Sequence, residues 1–220
     1  MGYRFNFRDV LAQQDFLLEG LLLTLQLSLV TMVLGLAVGV TGAALRVYGA
    51  RLVRVAVAGY VEAIRNTPLL VQLFIVFFGL PSLGLRLDAT TASVIALTVN
   101  LGAYATEIVR AGLEAIPRAQ VEAGVSLGLS RLQVFRYVVL IPALRVMYPA
   151  LASQFILLML ATSVVSQISA PDLFHTASIV QSRTFRDFEV YIVVACLYLA
   201  LALACRVAFS AVYQLAFARR

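Results

Sequence analysis

Three polar side chains share one face of a predicted helix in an otherwise apolar stretch. They are Asn100, Tyr104 and Glu107, at positions i, i+4 and i+7, which helical periodicity places on one stripe. Polar groups are costly inside a lipid bilayer and usually face the interior of a helical bundle. The stripe therefore predicts a line of hydrogen-bonding groups that either binds a polar ligand or joins two helices.

A second polar seam lies on a later apolar stretch. Its members are hydroxyl and amide side chains in an otherwise hydrocarbon helix: Ser153, Gln154, Thr162, Ser163, Ser166 and Gln167. A hydrogen bond between helices in a membrane is worth about 0.6 kcal/mol on average. A structural role is therefore as well supported as a binding role for Tyr104, Gln154 and Thr162, and better supported for the others.

The chain offers little for catalysis or metal binding. An intramembrane protease or lipid transferase needs a nucleophile with a base, two carboxylates or a metal cluster. The only histidine, His175, lies near Asp172, and this pair alone makes a poor metal site. Cys196 and Cys205 are nine residues apart on a helix, which places them on opposite faces. We expect neither a disulfide nor a metal site.

The composition indicates where these side chains must sit. The chain has 220 residues, of which 62% are hydrophobic and 13% are charged. Average globular chains are roughly 45–50% apolar and about 25% charged. One soluble core could not bury so much apolar surface, which excludes an ordinary soluble enzyme, a disordered chain and a disulfide scaffold. The sequence predicts an all-α, polytopic membrane protein with a single domain over residues 1–220.

Five apolar stretches are long enough to cross a hydrocarbon core, which needs about 20 helical residues. They cover residues 16–45, 55–80, 89–113, 141–168 and 188–217. All 17 basic residues are arginines. With the N-terminus outside, 12 arginines lie on inner segments, Arg206, Arg219 and Arg220 among them, and 5 on outer segments. The positive-inside rule therefore favours a periplasmic N-terminus and a cytoplasmic C-terminus.

Charged residues inside the spans are expected to pair. Glu62 and Arg65 are three residues apart on the second span, and Glu107 and Arg110 have the same spacing on the third. Pro68 lacks a backbone N–H and pushes Thr67 out of helical geometry. The second span is therefore expected to contain a local break.

The longest polar interruption, residues 114–137, is expected to face the cytoplasm. Pro117 can open a short helix, and the region of Gly128 ends it, because glycine adopts left-handed dihedral angles at low cost. Ser130 followed by Gln133 matches a capping box for the next helix. The segment thus reads as helix, glycine turn and helix outside the membrane.

This segment resembles the EAA loop of bacterial ABC importer permeases through Glu122-Ala123-Gly124 and Gly128, followed by a helix and Pro142. More specifically, the chain is similar to the polar amino acid permease family, of the histidine, glutamine, glutamate and arginine type. The ordered set of matching stretches covers most of the chain from about Gly20: residues 65–72, 77–81, 100–104, 107–110, 127–130, 143–145 and 184–189.

The resemblance implies a transport subunit that works by alternating access and has no chemistry of its own. It implies a multi-pass protein of the bacterial inner membrane, surrounded by membrane lipid. Its partners would be ABC ATPase subunits, a second identical or homologous permease in a homodimer or heterodimer, a periplasmic amino-acid-binding protein and an amino acid substrate, with no nucleic acid. ATP and Mg would be bound by the ATPase, and this chain would bind no cofactor.

The resemblance also assigns residues to two roles. The ATPase-coupling residues would be Gln120, Glu122, Ala123, Gly124, Gly128 and Ser130. The substrate pathway would use Asn100, Tyr104, Glu107, Gln154, Thr162, Ser163 and Ser166. Glu122 would orient the docking helix by hydrogen bonds across the turn or to the ATPase. A passive channel or an intramembrane enzyme are the alternatives, and neither would need an ATPase or a docking loop.

Three positions depart from the family pattern. Gly124 replaces an alanine and should loosen its helix by up to about 1 kcal/mol. The proline at Pro142 comes one residue late. Ala161 stands where family members often carry an aspartate. Two hypotheses follow for Ala161: this chain is the half of a heterodimer that does not bind substrate, or it serves a non-basic amino acid.

Overall fold

The computed structural model describes residues 3–217, which fold almost entirely as helices. The α-helices follow in this order: α1 (Arg8–Leu11), α2 (Gln14–Tyr48), α3 (Arg51–Arg65), α4 (Leu69–Phe74), α5 (Leu80–Ser82), α6 (Ala89–Glu114), α7 (Arg118–Ser126), α8 (Arg131–Gln133), α9 (Ile141–Ala161), α10 (Leu173–Thr184) and α11 (Asp187–Phe217). Two π-helical segments, Ile75–Gly79 and Val134–Leu140, and one 3₁₀ helix, Thr162–Ile168, connect some of them. The all-α prediction is confirmed.

Among the described residues, four helical stretches are long and apolar enough to cross a membrane, which agrees with four of the predicted spans. They are Gln14–Tyr48, Ala89–Glu114, Arg131–Ile168 and Asp187–Phe217. The helical stretch that contains the fourth span begins at Arg131, ten residues before the expected start of the span at residue 141, and that boundary stays a prediction. The Ser130-capped helix runs without interruption into that span, because a π-helical segment, rather than a loop, joins α8 to α9.

The second predicted span is not one straight helix. The helical stretches Arg51–Arg65 and Leu69–Ser82 meet at a bend of 108°. The bend lies at the expected break, where Pro68 cannot donate a backbone hydrogen bond and is extended, with ψ of 140°. The side-chain amide of Gln72 donates to the carbonyls of Ile64 and Thr67 at 2.8 and 3.0 Å, which satisfies groups that the break frees.

The centre of the bundle is the packing of α2 against α6. Glycines on α2 allow this approach, because a Cβ at Gly35 would lie 2.6 Å from the Leu101 side chain, and a Cβ at Gly39 would meet Ala105. The buried hydroxyl of Thr31 donates a hydrogen bond to the carbonyl of Leu27, one turn earlier in the same helix, at 2.6 Å. Small residues and self-satisfied hydroxyls thus let two membrane helices pack closely.

The helix α10 returns along the start of α2 before α11 crosses the membrane. Asp172 caps α10 by accepting a hydrogen bond from the His175 backbone at 2.9 Å, and the Thr24 hydroxyl accepts one from the Leu173 backbone at 3.1 Å. Burial raises the pKa of the Asp172 carboxyl to about 6. His175 is therefore part of a helix start, next to a buried carboxyl.

One arginine used to predict the orientation lies inside a span. Arg206 is within α11 and lines a groove of about 740 Å³ between α9 and α11, together with Ser153 and Tyr213. The helix continues to Phe217, which agrees with the predicted last span of residues 188–217, and the assignment of Arg206 to an inner segment stays a prediction. Arg219 and Arg220 lie outside the described residues. The expected orientation stays a prediction.

Candidate functional site

The predicted coupling residues lie on and after a short helix that projects from the bundle. Helix α7 starts after Pro117, as expected, and carries Gln120, Glu122 and Ala123 on exposed positions. Glu122 makes no side-chain hydrogen bond to any residue within 3–217. The expected hydrogen bonds of Glu122 across the turn are therefore not formed. Its carboxylate is free to meet another molecule.

The turn after α7 has the predicted construction. Gly128 has φ of +77° and its backbone donates to the Val125 carbonyl at 2.9 Å. Ser130 and Gln133 form a reciprocal capping box, with the Ser130 backbone donating to the Gln133 side chain at 2.8 Å. A left-handed residue followed by a capped helix fixes the angle between α7 and α8.

Gly124 has a role that its helix propensity does not reveal. It is buried, and a Cβ there would lie 3.3 Å from Cγ2 of both Val134 and Val138. Its backbone carbonyl accepts from Leu129 at 3.2 Å. The glycine that departs from the family pattern therefore lets α7 pack against the π-helical segment at the base of the long helix.

The stripe on α6 is formed as predicted, and the broken second span covers it. Asn100 is buried and donates to the side-chain oxygen of Gln72 at 3.0 Å. The guanidinium of Arg65 lies over the ring of Tyr104, with its Cζ 5.4 Å from the ring centroid. These contacts join α6 to both sides of the bend between α3 and α4.

Glu107, the third member of the stripe, belongs to a charged network at the end of α6. Arg110 donates to its carboxylate, with the Nη2 atom 2.6 Å from Oε2, and reaches Glu114 at 2.6 Å with Nη1. Arg46 of α2 lies 3.6 Å from the same carboxylate of Glu107. The expected pair of Glu107 and Arg110 is confirmed.

The expected pair of Glu62 and Arg65 is not formed. The carboxylate of Glu62 accepts instead from the Asn66 side chain at 2.9 Å, one helical turn further along. The Arg65 side chain turns towards Tyr104, which offers the face of its ring. The two side chains therefore point to different partners, and the local spacing alone did not determine the pairing.

The polar seam of the fourth span ends in a 3₁₀ helix, which the sequence did not predict. With three residues per turn, Thr162, Val165 and Ile168 align on one face and all three are buried. The hydroxyl of Thr162 donates to the Met159 carbonyl at 2.7 Å. Val165 and Ile168 belong to the same buried cluster as residues of α4 and α6. The Thr162 side chain is thus held inside the bundle.

Ser163 and Ser166 lie on the other face of this 3₁₀ helix and are less buried. Their hydroxyls donate to the carbonyls of Leu160 and Ser163, at 2.9 and 2.7 Å, and the Ser166 oxygen also accepts from the Gln167 side-chain amide at 3.4 Å. A hydroxyl oxygen has two lone pairs, so each serine keeps at least one with which it can accept. Gln154, further down α9, is half-buried. The structure therefore separates the seam into a buried hydroxyl and an outward-facing pair.

Gln72 and Arg65 are the polar residues that sequence reasoning missed as partners of the stripe. Both belong to the quoted stretch of residues 65–72, and a glutamine shortly after a helix-breaking proline was the available signal. Gln72 gives Asn100 a hydrogen-bond partner, and Arg65 packs on the face of the Tyr104 ring. Within residues 3–217, no group of three histidine, cysteine, aspartate or glutamate side chains is placed to hold a metal ion.

Comparison with known proteins gives a consistent result. A profile of the family described as "Binding-protein-dependent transport system inner membrane component" matches residues 22–219. The chain is 37% identical over 188 residues to the probable glutamine ABC transporter permease protein GlnP of Bacillus subtilis (strain 168), covering 84% of this chain and 86% of that protein. It is 40% identical over 142 residues to the probable glutamine ABC transporter permease protein GlnM of the same organism, covering 64% of this chain and 66% of that protein.

Solved structures agree with the sequence relatives. The crystal structure of an amino acid ABC transporter with histidines contains a chain that superimposes with a TM-score of 0.90 at 34% identity. The superposition covers 96% of this chain and 99% of that one. Inward-facing structures of the MetNI methionine ABC transporter share the fold, with a TM-score of 0.74 at 23% identity in one crystal form.

Proposed function

Because this chain belongs to the family of binding-protein-dependent transport system inner membrane components, a permease family of ABC importers, we propose that α7 receives the motion of a partner ATPase and passes it to the substrate pathway. The observation that carries this proposal is the unbroken helical stretch Arg131–Ile168. One end of it packs on α7 and the other end carries Ser163 and Ser166. A rigid connection of this kind is what domain-scale rocking requires.

The surface around α7 has the character of a contact surface for a partner protein. Leu127 is 81% exposed and Leu132 is 75% exposed, next to the exposed Val125. Apolar side chains grouped in this way outside a membrane span are typical of a protein contact. With Glu122 lacking a partner within residues 3–217, this patch has the apolar centre and charged rim that a docking surface needs.

We infer that the substrate is a polar amino acid, since the relatives are named for glutamine and the similar solved structure is an amino acid transporter. An amino acid carries an ammonium and a carboxylate, so its pathway needs acceptors and donors. Ser163 and Ser166 supply acceptors through their remaining lone pairs, since within residues 3–217 the Ser166 oxygen accepts only once, from Gln167. Gln154 supplies an amide, and Asn100 and Tyr104 hold the neighbouring broken helix in place. Glu107 pairs with Arg110 and with Arg46 of α2 at the end of the same stripe.

The other partners follow from the same family membership. We propose a second permease, identical or homologous, across the exposed faces of α9 and α11, and a binding protein on the outer side. The assembly would lie in the bacterial inner membrane, with ATP and Mg held by the ATPase. Ala161 ends α9 and its methyl side chain offers no charged group, which supports a non-basic substrate or a non-binding subunit equally.

The coupling role is tested by Gly128→Val, because a β-branched residue at φ of +77° strains the turn by about 1–2 kcal/mol or more. The full chain is co-expressed with its ATPase, and the amount of ATPase that co-purifies is measured. We expect the variant to lose most of the bound ATPase, and ATP-dependent uptake with it.

Gly84→Val is the matched control for this experiment. Gly84 also has positive φ, of +87°, and a Cβ there would meet nothing within 4 Å, as at Gly128. The backbone strain is therefore similar, but the site is in the loop before α6, at the other end of the bundle. The control should retain the ATPase. Equal retention by both variants would contradict the coupling role, and wild-type chain that brings down no ATPase would favour a channel or an enzyme.

A further inference from the structure

A basic groove lies beside the turn between α2 and α3. It is formed by the end of α2, the start of α3 and the end of α6. Its volume is about 380 Å³, and its lining includes Arg46 at the end of α2, Arg51 and Arg54 at the start of α3, and Arg110 with Glu114 at the end of α6. The transport role described above uses neither Arg51 nor Arg54. Both are exposed in this chain.

The charges of this groove do not balance. Arg110 pairs with Glu107 and Glu114, and Arg46 lies 3.6 Å from Glu107. Within residues 3–217, neither Arg51 nor Arg54 has a carboxylate within 4.0 Å. Two guanidinium groups therefore face the groove with unused donors, and a guanidinium matches a phosphate by bidentate hydrogen bonding.

The level of the groove in the bilayer favours a lipid as the source of that phosphate. The groove lies at the ends of two membrane-spanning helices, α2 and α6, where lipid headgroups are expected. The start of α3 adds backbone N–H groups, because its first turn has no side-chain cap.

Helix α3 also provides a surface for acyl chains. Arg51, Arg54 and Val55 line the groove, with Val55 64% exposed, and Leu52, on the adjoining face of the helix, is 84% exposed. A helix with arginines on one face and exposed apolar side chains beside them is typical of an interfacial helix that binds anionic membranes. The exposed apolar residues would contact the lipid tails next to the headgroup.

We propose that this groove is a binding site for the phosphate headgroup of an anionic phospholipid. The headgroup is held by Arg51 and Arg54, with Arg46 as a third cation, and the acyl chains lie along Leu52 and Val55. Since the site contains residues of α2, α3 and α6, the lipid would fix α3 against the other two helices. The position of the bend before α4 would then depend on the lipid.

The test measures lipid retention by native mass spectrometry of the full-length chain. The chain is extracted in detergent and titrated with phosphatidylglycerol or with phosphatidylcholine. We expect phosphatidylglycerol to be retained about tenfold more strongly, and we expect the double variant Arg51→Gln with Arg54→Gln to lose this preference. The variant Arg51→Lys with Arg54→Lys keeps the charges and should retain part of it.

Arg4→Gln with Arg8→Gln is the matched control, because both arginines are exposed and lie at the opposite end of the molecule. It should keep the wild-type preference, and thermal unfolding should show that every variant is folded. Equal retention of the two lipids by the wild type would overturn the proposal, as would an unchanged preference in the glutamine variant. Displacement of phosphatidylglycerol by millimolar inorganic phosphate would assign the site to free phosphate, and displacement by glutamine would assign it to the substrate pathway.

Discussion

Gln72 is the residue on which the broken second span depends. Its amide nitrogen donates to the Ile64 and Thr67 carbonyls and to the Thr67 hydroxyl, and its amide oxygen accepts from Asn100. Gln72 and Asn100 are both buried, so the Asn100 amide could not turn to water if Gln72 were removed. One side chain therefore holds both ends of the bend and the first residue of the polar stripe.

Replacing Gln72 with leucine should destabilise the chain by about 2 kcal/mol, because the buried Asn100 amide would lose its partner and the carbonyls at the bend would lose their donor. The shape of the side chain is nearly kept, so packing contributes little to the loss. The measurement is the thermal unfolding midpoint of the purified chain in detergent, compared with the wild type.

Gln26→Leu serves as the control for this substitution. Gln26 lies on an exposed position of α2, so the same change there removes a polar group that is not buried. We expect an unchanged or slightly higher midpoint. A loss in Gln72→Leu no larger than that in the control would show that the bend is held by other contacts.

At the scale of elements, the approach of α2 to α6 sets the geometry of the bundle. Gly39 and Gly42 are buried on α2, and a Cβ at either position would meet Ala105 or Thr106 of α6. The backbone carbon of Ala105 would lie 3.0 Å from the Cβ at Gly39, and a backbone cannot move aside as a flexible side chain can. The two helices can pack at this distance only with glycine there.

Gly39→Ala should therefore destabilise the chain by about 1–3 kcal/mol through overpacking. The comparison is Gly59→Ala on α3, where an added Cβ would meet nothing within 4 Å. Because alanine favours helices over glycine by about 1 kcal/mol, that control should be neutral or stabilising. The thermal unfolding midpoints of the two variants are compared with that of the wild type. A higher midpoint for Gly39→Ala than for the wild type would show that α2 and α6 separate more readily than this packing implies.

At the scale of the whole molecule, the orientation in the membrane follows from the distribution of arginines. Arg206 lies inside α11, and Arg219 and Arg220 lie outside the described residues, but the remaining arginines still favour one side. Counting without these three leaves 9 inner arginines from the original 12, against 5 outer ones. The excess therefore still predicts that α7 lies on the cytoplasmic side.

Cysteine labelling in intact cells tests this orientation. Cys196 and Cys205 are first replaced by alanine, and single cysteines are introduced as Ser126→Cys at the end of α7 and Ser82→Cys in α5, both exposed positions. A membrane-impermeant maleimide should label the cysteine at position 82 directly. It should label the one at position 126 only after the membrane is permeabilised, and the reverse pattern would show that the N-terminus is cytoplasmic.

The amino-acid sequence by itself determined the helical class, four of the crossing helices and the turn around Gly128. These features depend on local quantities: the hydropathy of about 20 consecutive residues, the missing N–H of Pro117, the positive φ that glycine tolerates and the Ser130–Gln133 spacing. The stripe of Asn100, Tyr104 and Glu107 was also accessible, because helical periodicity fixes which residues share a face.

Only the tertiary structure decided which partners these residues have. Arg65 faces Tyr104 rather than Glu62, Gln72 joins Asn100, and Gly124 opens space for Val134 and Val138. Each of these contacts joins residues on different helices, whose distance depends on packing and on the 108° bend. The 3₁₀ helix that buries Thr162 and turns Ser163 outward is likewise set by packing against α4 and α6, because no local spacing in the sequence distinguishes it from a continuing α-helix.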